Sequence, residues 1–118
     1  MIEARATARH VRGAPSKARL VIDTIRGKRA VEALSILQST NKRVCQPLEK
    51  VLRSAIANAQ QKAIEEAKRI DEDDLVVVKA YADAGPSLKR IRAAPMGRAH
   101  RILHRTSHLT IQVAEKEE

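Results

Sequence analysis

From Ala84 through Ala114 the chain carries no carboxylate, yet the same stretch holds six Lys or Arg and three His. Such a segment repels itself, and no internal ion pair can draw it back into an ordinary mixed-charge loop. Its larger apolar residues ahead of the final strand, Leu88, Ile91, Met96, Ile102 and Leu103, are too sparse to form a core. The core must lie elsewhere, and this segment must project from it. If residues 85–106 form a hairpin turning near Ala93-Ala94-Pro95, the leg from Tyr81 to Pro95 extends about 45 Å at roughly 3.3 Å per residue. A compact domain of about 100 residues has a radius of gyration near 13 Å. An isolated two-stranded ribbon is marginal in water, so something outside the chain has to order it.

The remaining sequence supplies a complete small body. Ile2, Ala4, Ala6 and Ala8 alternate with Glu3, Arg5, Thr7 and Arg9, the period of a half-buried strand. The same opening has the Arg and Ala bias of a transit peptide, but its alternation favours the strand. Gly13-Ala14-Pro15 breaks the strand and Pro15 suits a first helical turn. Ala18, Val21, Ile22 and Ile25 follow at helical spacing up to a stop at Gly27. A second helix fits residues 29–38 with Val31, Leu34 and Leu37 on one face. A third begins near Pro47 and carries the stripe Leu48, Val51, Leu52, Ala55, Ile56, Ala59 and Ala63. After the acidic run Asp71–Asp74, the β-branched stretch Leu75–Val78 reads as a central strand. Leu109, Ile111 and Val113 make the closing one. The expectation is one α+β domain over residues 1–118: a three-stranded antiparallel sheet packed with three helices, plus a protruding β-hairpin. Its core is Ala-rich and thin, because Ala removes little area from water, so stability without a partner should be marginal.

Charge points to the partner. The formal net charge is +9, and it is uneven. Residues 1–30 carry eight basic and two acidic groups, residues 31–83 eight and nine, and residues 84–114 six and none. Cations in both legs of the hairpin suit burial among phosphates on all sides. A flat membrane is a poorer fit, since no amphipathic helix with Trp or Phe anchors is present and no apolar run approaches a span of roughly 20 residues. With Tyr81 as the single aromatic, base stacking of the single-strand-binding kind is excluded as the main mode. Recognition should rest on backbone charge, shape and Arg contacts. Lys17 and Arg19 sit near the start of the first helix, where its dipole disfavours cations. Either a phosphate occupies that end with Ser16 and Lys17, or both side chains simply reach into water.

Several strings coincide with one family. "KARLVIDTIRGK" (17–28), "EKVLRSAIANA" (49–59), "VVKAYADAGPSLKRIR" (77–92) and "MGRAHRILHRTSH" (96–108) resemble the bacterial-type large-subunit ribosomal protein twenty-two family. The resemblance runs from about Glu3 to Val113. It implies a structural, non-catalytic constituent of the large subunit that organises 23S-type rRNA, acts early in assembly and works as a monomer within the ribosome. The ribosome would be cytoplasmic, with an organellar one left open. It further implies an arm threaded through rRNA, with its tip at the wall of the nascent-peptide exit tunnel. The partners would then be rRNA, neighbouring ribosomal proteins and the nascent peptide. By resemblance, Arg12, Lys17, Arg19, Arg26 and Lys28 contact rRNA from the body, with Ser16 where the family often has Arg. Lys89, Arg90, Arg92, Arg98, Arg101, Arg105, Thr106 and His108 match the buried arm. The tunnel-facing tip would be Arg92-Ala93-Ala94-Pro95-Met96-Gly97-Arg98, which departs from the family's Arg-Pro-Arg-Ala-x-Gly-Arg. The displaced proline predicts a different turn path, because Pro fixes its own φ and restricts its predecessor.

Other readings are weaker. His100, His104 and His108 share a spacing that could suit a metal, but surrounding cations oppose one and no metal or cofactor is expected. Asp71–Asp74 cannot all face one nuclease site, Cys45 and Ser54 lack a base partner, and no glycine-rich phosphate loop exists. The alternative of substance is a DNA-binding architectural protein whose proline-tipped β-arm inserts between base steps.

Overall fold

The computed structural model describes residues 2–93 and 95–115, with the side chains of His100 and Arg101 outside that description. In chain order the elements are β1 (Glu3–Arg12), α1 (Pro15–Ile25), α2 (Ala30–Ser39), α3 (Cys45–Glu65), β2 (Leu75–Ala84), β3 (Leu88–Ala93), β4 (Ala99–His104) and β5 (Thr106–Glu115). β1, β5 and β2 form an antiparallel sheet in that order, and β3 pairs with β4 as a separate two-stranded ribbon. The fold is α+β, three helices on a three-stranded sheet with a β-hairpin extension.

Register explains how an Ala-rich chain closes its core. Ala4, Val113 and Val77 lie in one row across the sheet, Ala6, Ile111 and Ala80 in the next, and Ala8, Leu109 and Ala82 in the third. Each row places a large β5 residue between flanking positions that are mostly Ala, which leaves room for helices to approach. Ile22 and Ile25 of α1, with Leu48 and Leu52 of α3, fill that room and are fully buried. α1 and α3 bury the stripes that their periodicity predicts.

Two expectations need correction. The central strand is β5, not β2, and its consecutive residues Leu109, Thr110 and Ile111 are all buried because neighbours flank it on both sides. β2 is an edge strand with a register shift between Val77 and Lys79, and it leaves Val78 48% exposed. Its outer side is paired with backbone near its start, where Arg29 bridges Val76, Gly27 N–H donates to Val77 O at 3.0 Å and Val77 N–H to Lys28 O at 2.9 Å. The buried face of α2 is Ala30, Ala33 and Leu37, whereas Val31 faces outward and Leu34 is only partly buried. Small Ala lets α2 sit close to its neighbours, which a Val31 stripe would not permit.

Helix side chains cover both edges of the main sheet. Along β2, the Arg19 guanidinium donates to Ala82 O at 2.9 and 3.2 Å and Arg26 Nε to Ala80 O at 2.9 Å. Along β1, Asn58 Nδ2 donates to Arg5 O at 3.0 Å and Lys62 Nζ to Glu3 O at 2.7 Å. Edge carbonyls that would otherwise recruit a foreign strand are thus engaged by the chain's own helices.

The ribbon leaves the body where β2 ends and β5 begins. Its register runs from Leu88 opposite His104 to Ala93 opposite Ala99, and every β3 residue is exposed. The molecule measures 67 × 26 × 16 Å with a radius of gyration of 17.6 Å, well above the roughly 13–14 Å of a compact chain this long. The tip lies slightly further along than expected. A 3-10 turn over Pro95–Gly97 makes it, with Met96 at φ 64°, ψ 31° and Gly97 at φ 71°. Pro95 has no N–H to give to a ladder, which suits it to the reversal. Ala94 lies outside the described residues.

Candidate nucleic-acid interface

The anticipated contact residues fall into three groups. Lys89, Arg90 and Arg92 lie on β3, Arg98 follows the tip, and Arg101 stands on β4 opposite Ile91. Apart from Arg101, whose side chain is outside the description, these cations are exposed. Arg90 Nη1 donates to the carbonyl of Lys89 at 2.9 Å. Between the charges, Ile91 is 78% and Met96 95% exposed, so these two side chains have little cover. Backbone hydrogen bonds hold its two legs together, and side-chain packing adds little.

The second group forms a shoulder where the ribbon meets the body. Gly85 N–H donates to Thr106 O at 2.9 Å, and Gly13 N–H to Arg105 O at 2.9 Å. The Thr106 hydroxyl donates to Pro86 O, and that of Ser107 to Gly13 O at 2.8 Å. β1 shifts register between Ala8 and Val11, where His10 takes a positive φ of 58°. His10 N–H donates to His108 Nδ1 at 3.2 Å, and the two rings meet edge to face with centroids 5.0 Å apart. Nδ1 accepts here, so a neutral His108 carries its proton on Nε2. Thr106 and His108 therefore have structural partners within the chain. His108 is tied to His10 in the body, and the His100 side chain lies outside the described residues. Among the described residues no group of three or more His, Cys, Asp or Glu is placed to hold a metal ion.

The third group is on α1 and the strand before it. Arg12 pairs with Thr106 at the end of β1, and the side chains of Ser16, Lys17 and Lys28 are exposed. α1 starts at Pro15 without a side-chain cap or an acidic residue in its first turn. Pro15 has no N–H and the Lys17 N–H donates to Ala14 O at 3.2 Å, while the Lys17 side chain stands exposed beside this helix start. Arg19 and Arg26 each already hold a β2 carbonyl. Arg26 also pairs with Asp23 at 2.7 Å. Each guanidinium has five N–H donors, so donors remain for a further partner. Among the described residues the second ion pair is Arg53–Glu49, and none involves a ribbon cation.

Sequence reading missed Lys42 and Arg43. They belong to the α2–α3 connection, which the fold carries to the start of α1, and together with Arg12 and Lys17 they line one cleft. The only sequence signal was an adjacent basic pair in a connection without carboxylates. Asp71–Asp74 form a solvated 3-10 turn closed on itself, with Asp71 N–H donating to Asp74 Oδ2 at 3.3 Å.

A family model described as "Ribosomal protein L22p/L17e" matches residues 6–114. The chain is 49% identical over 116 residues to the large ribosomal subunit protein uL22 of Solibacter usitatus, covering 98% of this chain and 99% of the relative. It is 51% identical to the uL22 of Bifidobacterium animalis subsp. lactis and 50% to that of Bifidobacterium longum, each alignment covering 98% of both chains.

Proposed function

The chain belongs to the ribosomal protein L22p/L17e family, and from that premise we propose that its basic arm threads through large-subunit rRNA to the wall of the nascent-peptide exit tunnel. Membership makes it a structural, non-catalytic protein of the large ribosomal subunit, with rRNA and other ribosomal proteins as partners. The finer reading adds that it joins the subunit early in assembly and works as a single copy in the cytoplasmic ribosome. One observation carries it: a 67 Å molecule extends a ribbon whose β3 leg is wholly exposed, with no carboxylate between Asp83 and Glu115. Packed phosphates neutralise such a ribbon, whereas water leaves Ile91 and Met96 bare. The contacts in this reading are Lys89, Arg90, Arg92, Arg98, Arg101 and Arg105 along the arm, the shoulder at Thr106 and His108, and Arg12, Ser16, Lys17, Arg19, Arg26 and Lys28 on the body. Residues 92–98 would face the tunnel and the nascent peptide.

The test is competition binding of the full chain to an in vitro transcript of bacterial large-subunit rRNA against duplex DNA of equal length. A monomer by light scattering that prefers the transcript, with affinity falling steeply as salt rises, is the expected result. Arg90→Ala with Arg92→Ala should weaken binding by about tenfold or more and lower the salt slope by about 2, one for each lost phosphate contact. Lys68→Ala with Arg69→Ala removes the same charge beside the acidic turn and should change binding far less. Equal losses would mean that only net charge matters. A dimer that prefers the duplex would instead favour the DNA-bending alternative.

A further inference from the structure

Resting on the rRNA reading above, we propose that the cleft between the end of β1, the start of α1 and the α2–α3 connection receives one splayed-out nucleotide of large-subunit rRNA. Its base would lie against Leu20 and Val44, and its phosphate among Arg12, Lys17, Lys42 and Arg43. The cleft has a volume of about 560 Å³, inside the range of roughly 300–1,000 Å³ usual for ligand sites.

Three features set it apart from a merely basic surface. First, four cations from three separate elements ring it and no carboxylate lines it. Glu49, on the neighbouring surface beside Lys42, is already held by Gln38 at 3.2 Å and by Arg53 at 2.9 Å. Second, its interior is apolar. Leu20 is 65% exposed although α1 buries a different face, Ala18, Val21, Ile22 and Ile25, so this side chain does nothing for the core. Val11 and Val44 add further apolar wall, both partly buried against the core. Third, the polar floor is already satisfied, because the Ser107 hydroxyl is spent on Gly13 O. A ligand here needs an apolar body and an anionic edge, and a nucleotide has both. The regular backbone of an RNA duplex presents phosphates on a convex ridge and would leave the interior empty. Bulged or looped nucleotides, with unstacked bases, are what proteins take from RNA into concave sites.

The test uses the full chain with the bacterial large-subunit rRNA transcript. A photo-crosslinking benzoylphenylalanine at position 20 should react with one unpaired nucleotide, mapped by primer extension. Leu20→Ser should lower affinity about tenfold, the size expected for taking most of one Leu side chain out of water. It should also restore chemical reactivity at that nucleotide while the arm's footprint persists. Leu20 is exposed, so this variant keeps the fold, which circular dichroism verifies. Lys42→Ala with Arg43→Ala should expose the same nucleotide. Crosslinks spread along paired RNA, or unchanged affinity and footprint for both variants, would overturn the proposal while leaving the arm reading intact. A crosslink in whole subunits to a neighbouring protein would assign the cleft to a peptide and overturn it as well. Failure of the wild-type chain to protect any rRNA would instead remove the reading on which both rest.

Discussion

Substituting alanine for Gly85 places a methyl group in the tightest part of the shoulder. An ideal Cβ there would stand 2.6 Å from Thr106 Oγ1 and 3.2 Å from Cε1 and Nε2 of His108. Neither neighbour yields freely. Thr106 Oγ1 is bonded to Pro86 O, and the His108 ring is held by His10 N–H. Overpacking of this kind costs about 1–3 kcal/mol, and turning the Thr106 hydroxyl aside forfeits about 1 kcal/mol more. Reduced freedom of the unfolded chain returns about 0.4–1 kcal/mol. The net expectation for Gly85→Ala is a loss of about 2 kcal/mol, which lowers the melting temperature of a chain this size by roughly 6–12 °C. Urea unfolding of purified protein, followed by circular dichroism, measures it. Thr106→Ala alone should cost about 1 kcal/mol. With the obstructing hydroxyl gone, the double variant should be little worse than Thr106→Ala, a coupling of about 1–2 kcal/mol. Strict additivity would mean that Thr106 does not obstruct the new methyl and would refute the account of the shoulder.

Two further outcomes follow from the same structure. Burial holds the Cys45 thiol above its ordinary range, against weaker lowering effects from a backbone hydrogen bond and the charge at Lys42. The folded state therefore favours the protonated form. The stability this group contributes is intact below a pH of about 9 and is lost as pH rises toward its folded value. Comparing urea midpoints of wild type and Cys45→Ala from neutral pH upward should show wild type losing ground only above that point; a gap independent of pH would contradict it. Hydrogen exchange of the RNA-free chain should show amides in β3 and β4 exchanging at least about a hundredfold faster than those of β5, because no core closes over the ribbon. Slow exchange along both legs would mean that the ribbon orders itself.

Much of the fold could be read from periodicity. The alternation of Ile2 to Arg9 and the stripe from Leu48 to Ala63 each name one buried face, and the structure buries those faces. Where Ala competes with a larger residue, the pattern misleads: Val31 outweighs Ala30 on any hydrophobicity scale, yet close helix packing selects the smaller side chain. The order of strands was hidden for a similar reason. Leu75–Val78 looks like an interior strand, while the true interior strand carries Thr110 and Gln112 and so resembles an edge. For the candidate interface, the arm was legible because it is contiguous and lacks acids. Arg19 and Arg26 were visible as cations, but nothing in their spacing shows that they face the carbonyls of β2. Lys42 and Arg43 join Lys17 only after α1 and α2 have folded back, and linear order does not encode that proximity.

The bonds from Arg19, Arg26, Asn58 and Lys62 to strand carbonyls have a consequence during synthesis. An open sheet edge on a free polypeptide invites pairing with a second copy of itself. A second copy sliding along either flank of the body meets carbonyls of Ala80, Ala82, Glu3 and Arg5 that already accept a hydrogen bond, backed by positive charge, which disfavours intermolecular sheet growth there. The side chains that close the body's flanks thus also oppose the addition of a foreign strand to the main sheet.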